Sequence, residues 1–239
     1  MRIPLWLEMR GRRVLVVGGG SVGTRRALMF LDAGAEVKVV AKEFSEKLRE
    51  AAAKNNRLTL VEGDAGNKEF LRPLVEWADI VVVATDNELV NSRVWELAKK
   101  ARKWVNDATS AERTEIVVPY SGEVYGGGLR VAVTSEGKTG VAARHALHRI
   151  IKCLEEDKEL RMLYEAMRRL KPVLKKHVAV AKQRVPIYYE VEEQILPLIQ
   201  QGASLEEVLE TMANYLEKRL RQLGVEADKQ HLLGELKQA

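Results

Sequence analysis

"VLVVGGGSVGTRRALMFLDAGAEVKVVAKEF", residues 14–44, is the stretch that decides the fold. Four branched apolar residues, Val14 to Val17, read as a buried strand and run straight into Gly18, Gly19 and Gly20. A helical pattern follows from Ser21 to Ala33, Gly34 closes it, and Glu36 to Ala41 reads as a second strand. In Gly18-x-Gly20-x-x-Gly23 the three glycines serve a tight turn, close approach of backbone to a pyrophosphate, and close packing of helix on strand. The phosphates would sit on the helix N-terminus. The candidate cofactor residues here are Gly18, Gly20, Ser21, Val22 and Gly23. Glu43, about twenty residues beyond Gly23, can hold ribose hydroxyls. Lys42 beside it can accept a 2′-phosphate, so NAD is preferred and NADP stays open. The competing reading is a structural turn with no ligand.

Outward from this stretch, strands and helices alternate. Helices are expected at 45–55, 68–77 and 88–101, and strands at 58–62, 80–84 and 104–106. Such alternation implies a Rossmann-like, doubly wound parallel α/β sheet. The segment "VVVATDNELVN", Val81 to Asn91, ends a buried strand in small and polar residues at the sheet's carboxyl edge, where the backbone of Ala84 and Thr85 is a further cofactor candidate. Asp86 and Asn87 read equally well as helix caps. Ile116–Tyr120 and Leu129–Thr134 suggest a β-hairpin around a glycine-rich turn. Beyond it, helices are expected at 149–170, 173–183, 186–200 and 204–223, the last opened by a Ser204/Glu207 capping box. The domain expectation is a Rossmann domain over 1–112, a β dimerisation and active-site segment over 113–145, and an all-helical domain over 146–239. The hairpin would leave sheet edges that a second copy can cover, so a homodimer is expected.

Composition narrows the function classes. The chain has 239 residues, 46% hydrophobic and 31% charged, in the range of globular proteins. Its apolar runs are too short for a membrane span, and residues 1–11 lack the apolar stretch of a signal peptide, so a cytoplasmic protein is expected. The net charge of +5 is spread among nearly as many acidic residues, and three Phe give no aromatic interleaving. Nucleic acid is therefore not an expected partner; a small anionic substrate explains the excess equally well. Cys153 is the single cysteine, and His145 and His148 form no convincing ligand set, so no metal site is expected.

The segments Pro4–Phe44, "LVEGD", "VVVATDNELVN", "VND" and "RVAVTSEGKTGVAARHALHRI" together resemble the precorrin-2 dehydrogenase family, the dehydrogenase module of siroheme synthases. The resemblance runs from about Pro4 to Ile150. It implies NAD-dependent oxidation of precorrin-2 to sirohydrochlorin, an intertwined homodimer and a tetrapyrrole cleft, with ferrous iron insertion in some members. An octacarboxylate substrate calls for cations. The candidate substrate residues are Asn106, Thr109, Ser135, Lys138, Thr139 and Arg144. The family carries a catalytic aspartate in N-x-x-D, whereas this chain reads Asn106-Asp107-Ala108-Thr109, which puts Thr109 in the aspartate's place when Asn106 and Pro119 are aligned without a gap, and leaves Asp107 to reach it when the loop is shifted. Asp107 is the candidate catalytic base, with capping or bracing of its loop as the equal alternative. A tetrapyrrole-related regulatory or scaffold protein that binds NAD without efficient turnover is the alternative function.

Overall fold

The computed structural model describes residues 2–239. Five strands, β1 (Arg13–Val17), β2 (Glu36–Ala41), β3 (Leu58–Glu62), β4 (Ile80–Val83) and β5 (Trp104–Asp107), form one sheet in the order β3-β2-β1-β4-β5. All four pairings are parallel. The period-two alternation of side chains divides the strand residues between two cores. Val14, Val16, Val37, Val39 and Val82 pack with α1 (Ser21–Asp32) and α2 (Glu46–Lys54) on one face. Leu15, Val17, Val40, Val81, Val83 and Val105 pack with α3 (Lys68–Trp77) and α4 (Glu88–Lys100) on the other. Both faces being covered, the central strands β1 and β4 read as unbroken apolar runs over Val14–Val17 and Ile80–Val83. Chain order reverses at β1 and β4, so their carboxyl ends flank the crevice where such sheets bind ligands.

A two-stranded antiparallel sheet follows, β6 (Tyr120–Val124) and β7 (Leu129–Val133). The hairpin lies later than its apolar signal at 116–120 suggests. Ile116 and Val118 are half-buried against the β1/α1 core rather than paired, and β6 is the weakly apolar YSGEV. The turn takes Tyr125, Gly126 and Gly127 through positive φ, which the two glycines adopt without strain.

Five helices complete the chain: α5 (Gly140–Glu156), α6 (Lys158–His177), α7 (Ala181–Gln200), α8 (Leu205–Gln222) and α9 (Lys229–Gln238). The sequence placed breaks near Pro172 and before Pro186, yet both lie inside helices, and the breaks fall at Asp157, which caps α6, and at residues 178–180. The Ser204/Glu207 capping box is present. Helix α9, not expected from sequence, is capped by Asp228 and buries Leu232, Leu233 and Leu236. These join Leu170, Leu174, Ile187, Ile195, Met212 and Leu216 in a third core.

The chain divides into two compact units: residues up to Tyr120 with Val133–Ala143, and Ser121–Ala132 with Arg144–Ala239. Among the described residues no helix is long and apolar enough to cross a membrane.

Candidate functional site

The glycine loop separates two kinds of glycine. A Cβ on Gly18 would lie 2.2 Å from the Ala84 carbonyl oxygen, one on Gly19 would lie 2.2 Å from the Glu43 oxygen, and one on Gly23 would lie 2.0 Å from the Gly18 oxygen. Those three are glycine because the protein itself leaves no room. A Cβ on Gly20 would meet nothing within 4 Å, so no protein contact excludes a side chain there. Gly20 is also the N-cap of α1 and offers no side-chain cap, whereas α2, α3 and α4 are capped by Ser45, Asn67 and Asn87. The first amides of α1, including those of Ser21 and Val22, are thus unclaimed by side chains in a turn without acidic residues. An uncapped helix end beside open space at a glycine is suited to a phosphate.

Around this loop stand the ends of β2 and β4. Gly18 donates to the Val40 carbonyl (2.9 Å), and the near-contact of Gly19 with the Glu43 backbone places Glu43 directly beside the loop. Glu43 is exposed, while Lys42 is ion-paired with Asp64 at 3.1 Å. At the β4 end the Thr85 hydroxyl donates to Asn91 Oδ1 (2.5 Å), and Asn91 Nδ2 returns a bond to the Thr85 carbonyl (3.0 Å). This holds the Ala84–Thr85 backbone against Gly18.

The end of β5 opens on a cavity of about 340 Å³ within the first unit. It gathers Asn106, Asp107, Thr109 and Ser135 from the sequence candidates, together with Arg26, Tyr120 and Glu136. Asp107 is buried, and its carboxylate is occupied. Oδ1 accepts from the Thr109 amide (2.9 Å), the Thr109 hydroxyl (2.6 Å) and the Ser110 amide (3.1 Å), and Oδ2 accepts from Arg113 Nε (2.9 Å). Arg113 in turn bonds Glu88 (2.7 Å) and Ser92 (2.7 Å). Of the two roles that the sequence left open for Asp107, bracing the loop is the one these contacts describe. Thr109 is part of the brace, as a donor to Asp107.

Ser135 lies on a turn in which Glu136 and Gly137 adopt positive φ, and its hydroxyl accepts from the Thr139 amide (2.9 Å). Thr139 Oγ1 accepts from the Ala142 amide as α5 begins. Lys138 and Thr139 are exposed and do not line the cavity, and Arg144 falls in the second unit. Among the described residues no cluster of three metal-ligating side chains occurs. Sequence reasoning passed over Arg26 and Arg113. Arg26 left a trace, since it stands three residues after Gly23 and four before Phe30, on the face of α1 that is otherwise buried and apolar. Arg113 left none, its partners being brought together only by the fold.

Comparison with known proteins adds to this geometry. Residues 5–120 match a family model described as "Putative NAD(P)-binding". A Methanocaldococcus jannaschii protein named "Putative precorrin-2 dehydrogenase" is 33% identical over 145 residues, 60% of this chain and 69% of that one. A Neisseria meningitidis siroheme synthase is 34% identical over 59% of this chain but only 28% of its own length. A Yersinia enterocolitica siroheme synthase is 31% identical over 76% of this chain and 36% of its own. The chain therefore spans about a third or less of those two synthases. A solved structure titled "SirC, precorrin-2 dehydrogenase" covers both chains in full, with a TM-score of 0.59 and 23% identity, and shares the fold.

Proposed function

The chain belongs to the precorrin-2 dehydrogenase family, and from that premise we propose that it oxidises precorrin-2 to sirohydrochlorin with NAD. The observation that carries the cofactor half is Gly20, the one fingerprint glycine whose missing side chain no protein neighbour requires, at the uncapped start of α1. Gly18 to Gly23 would hold the pyrophosphate, Glu43 the ribose, and the Ala84–Thr85 backbone the far side of the crevice. The pairing of Lys42 with Asp64 favours NAD, because a 2′-phosphate would compete with a carboxylate for that lysine. When bound, NAD supplies the hydride acceptor that a dehydrogenation needs.

The residues of the chain then position the substrate. Asp107 is a positioning residue in this reading: it sets Thr109 and Ser110 at the mouth of the cavity through the bonds that also hold Arg113. Ser135 provides a hydroxyl in the same cavity. Lys138 and Thr139, in the same unit, add charge and a hydroxyl group for peripheral carboxylates. A homodimer in the cytoplasm completes the proposal, supported by the exposed side chains of Ile3, Leu5, Trp6 and Leu7.

Anaerobic incubation with precorrin-2 and either NAD or NADP tests it. Sirohydrochlorin should form at many turnovers with NAD and more slowly with NADP. Cofactor binding without sirohydrochlorin would overturn the dehydrogenase reading.

A further inference from the structure

Helix α1 carries adjacent arginines, Arg25 exposed and Arg26 half-buried along the cavity. The guanidinium groups of Arg13, Arg113 and Arg219 are paired with Asp79, Asp107 and Glu190. Among the described residues Arg26 has no ion pair or hydrogen bond, and its Nε is sealed from water without an acceptor. Burial, and then the neighbouring Arg25 charge, push its pKa below the usual guanidinium value, with Tyr120 acting the other way. Asn106 lines the same cavity and is 3% exposed. Its Nδ2 donates to the Ile116 carbonyl at 2.7 Å, which fixes the amide orientation and leaves Oδ1 buried without a donor. The other charges lining the cavity are answered, Asp107 by Arg113 and Glu136 by Arg2 at 3.4 Å. What remains is one uncompensated cation and one buried acceptor. In a site shielded from water a charge-assisted hydrogen bond is strong, and the same groups left unpaired destabilise the protein.

We propose that this cavity is a carboxylate subsite, in which Arg26 binds a peripheral carboxylate of a ring substrate and Asn106 Oδ1 accepts an N–H from the same ligand. A planar guanidinium matches a carboxylate with two parallel bonds. A tetrapyrrole offers both groups on one molecule, its ring nitrogens giving the N–H and its side chains the carboxylate. The identity of that ligand rests on the precorrin-2 reading; the charge match does not.

Uroporphyrin, an octacarboxylate porphyrin with inner N–H groups, is the probe, titrated by fluorescence against the full chain and its Arg26→Gln and Arg26→Lys variants. Arg26→Gln should weaken uroporphyrin binding about 10- to 100-fold, the loss of one charged hydrogen-bonding pair. Arg26→Lys should recover part of it. NAD affinity should stay unchanged, and the Tm of the ligand-free variant should rise by about 2–4 °C as the unpaired cation is removed. A purely structural arginine would instead lower Tm, NAD binding and porphyrin binding together, and that result overturns the subsite. So does uroporphyrin affinity that is absent in the parent chain or indifferent to Arg26→Gln. Precorrin-2 turnover separates the two levels. Turnover with a KM independent of Arg26 keeps the dehydrogenase and removes the subsite, whereas Arg26-dependent porphyrin binding without turnover does the reverse.

Discussion

Gly20 and Gly23 make opposite demands on a substitution. Replacing Gly20 by Val puts a side chain into space that the protein does not use, so Tm should hold while NAD affinity falls about 10- to 100-fold, the equivalent of one or two lost charge-assisted bonds. Gly23→Ala forces a methyl against the Gly18 carbonyl and should destabilise the fold by about 1–3 kcal/mol before cofactor is considered. Calorimetry with and without NAD separates these cases; equal Tm losses in both variants would mean that Gly20 is structural. Asp107 offers a second contrast. If it braces the loop, Asp107→Asn and Arg113→Met should both lower activity and Tm, and the shape of the pH–rate profile should survive. A base would behave otherwise, with Asp107→Asn alone losing about 10²- to 10⁴-fold in rate and no stability. The fingerprint glycines were legible in the sequence because backbone geometry writes them into residue type. The filled Asp107 carboxylate was not, since an aspartate two residues before a threonine reads the same whether its oxygens are free or bonded.

The elements divide on the same principle. Strands β1 to β4 and the helices between them were legible because β1 and β4 carry short, unbroken apolar runs, β2 and β3 alternate apolar with polar residues, and each helix has a clear face. The second strand of the hairpin lies where it was expected, but the first was misplaced by four residues because burial of Ile116 and Val118 against a core imitates strand pairing. In the helical unit, Pro172 and Pro186 drew the boundaries away from the caps that set them. Helix α9 was missed as a short, polar-looking segment, and its attachment includes an acid-sensitive contact. Glu235 on α9 meets Lys176 and His177 from α6 and, within its own helix, His231, with oxygen–nitrogen distances of 2.7 Å to His177 and 3.2 Å to His231. Burial alone would raise its pKa, but hydrogen bonds and charge from Lys176 and His177 outweigh that and hold it below the usual carboxylate value. A folded pKa below the unfolded one means stability that is complete above the unfolded value and lost as pH falls through the folded one. Glu235→Gln should therefore lower Tm at neutral pH, by about 2–4 °C for each kcal/mol lost. The gap from the parent chain should close in acid, below the carboxylate range. A gap of constant size across that range would assign the effect to packing.

At the scale of the whole molecule, the exposed Ile3, Leu5, Trp6 and Leu7 make self-association the expected state. Sedimentation should give a dimer at micromolar concentration, and Trp6→Glu should shift it toward monomer with the circular dichroism spectrum retained. A parent chain that sediments as a monomer would remove the dimer proposal. The path of the chain has its own consequence. It passes from one compact unit to the other at 120/121, returns at 132/133 and leaves again at 143/144. The 121–132 stretch belongs with the helices: the Tyr125 hydroxyl donates to the Leu154 carbonyl (2.5 Å), and its ring lies 5.2 Å from that of Tyr164. A single genetic crossover therefore cannot exchange either unit intact. A junction at 120 hands the incoming partner a piece of the Rossmann unit, and one at 143 leaves Tyr164 without its aromatic neighbour. Recombination should accept the pair whole or with three junctions, so that the cofactor half and the helical half of this protein are inherited together.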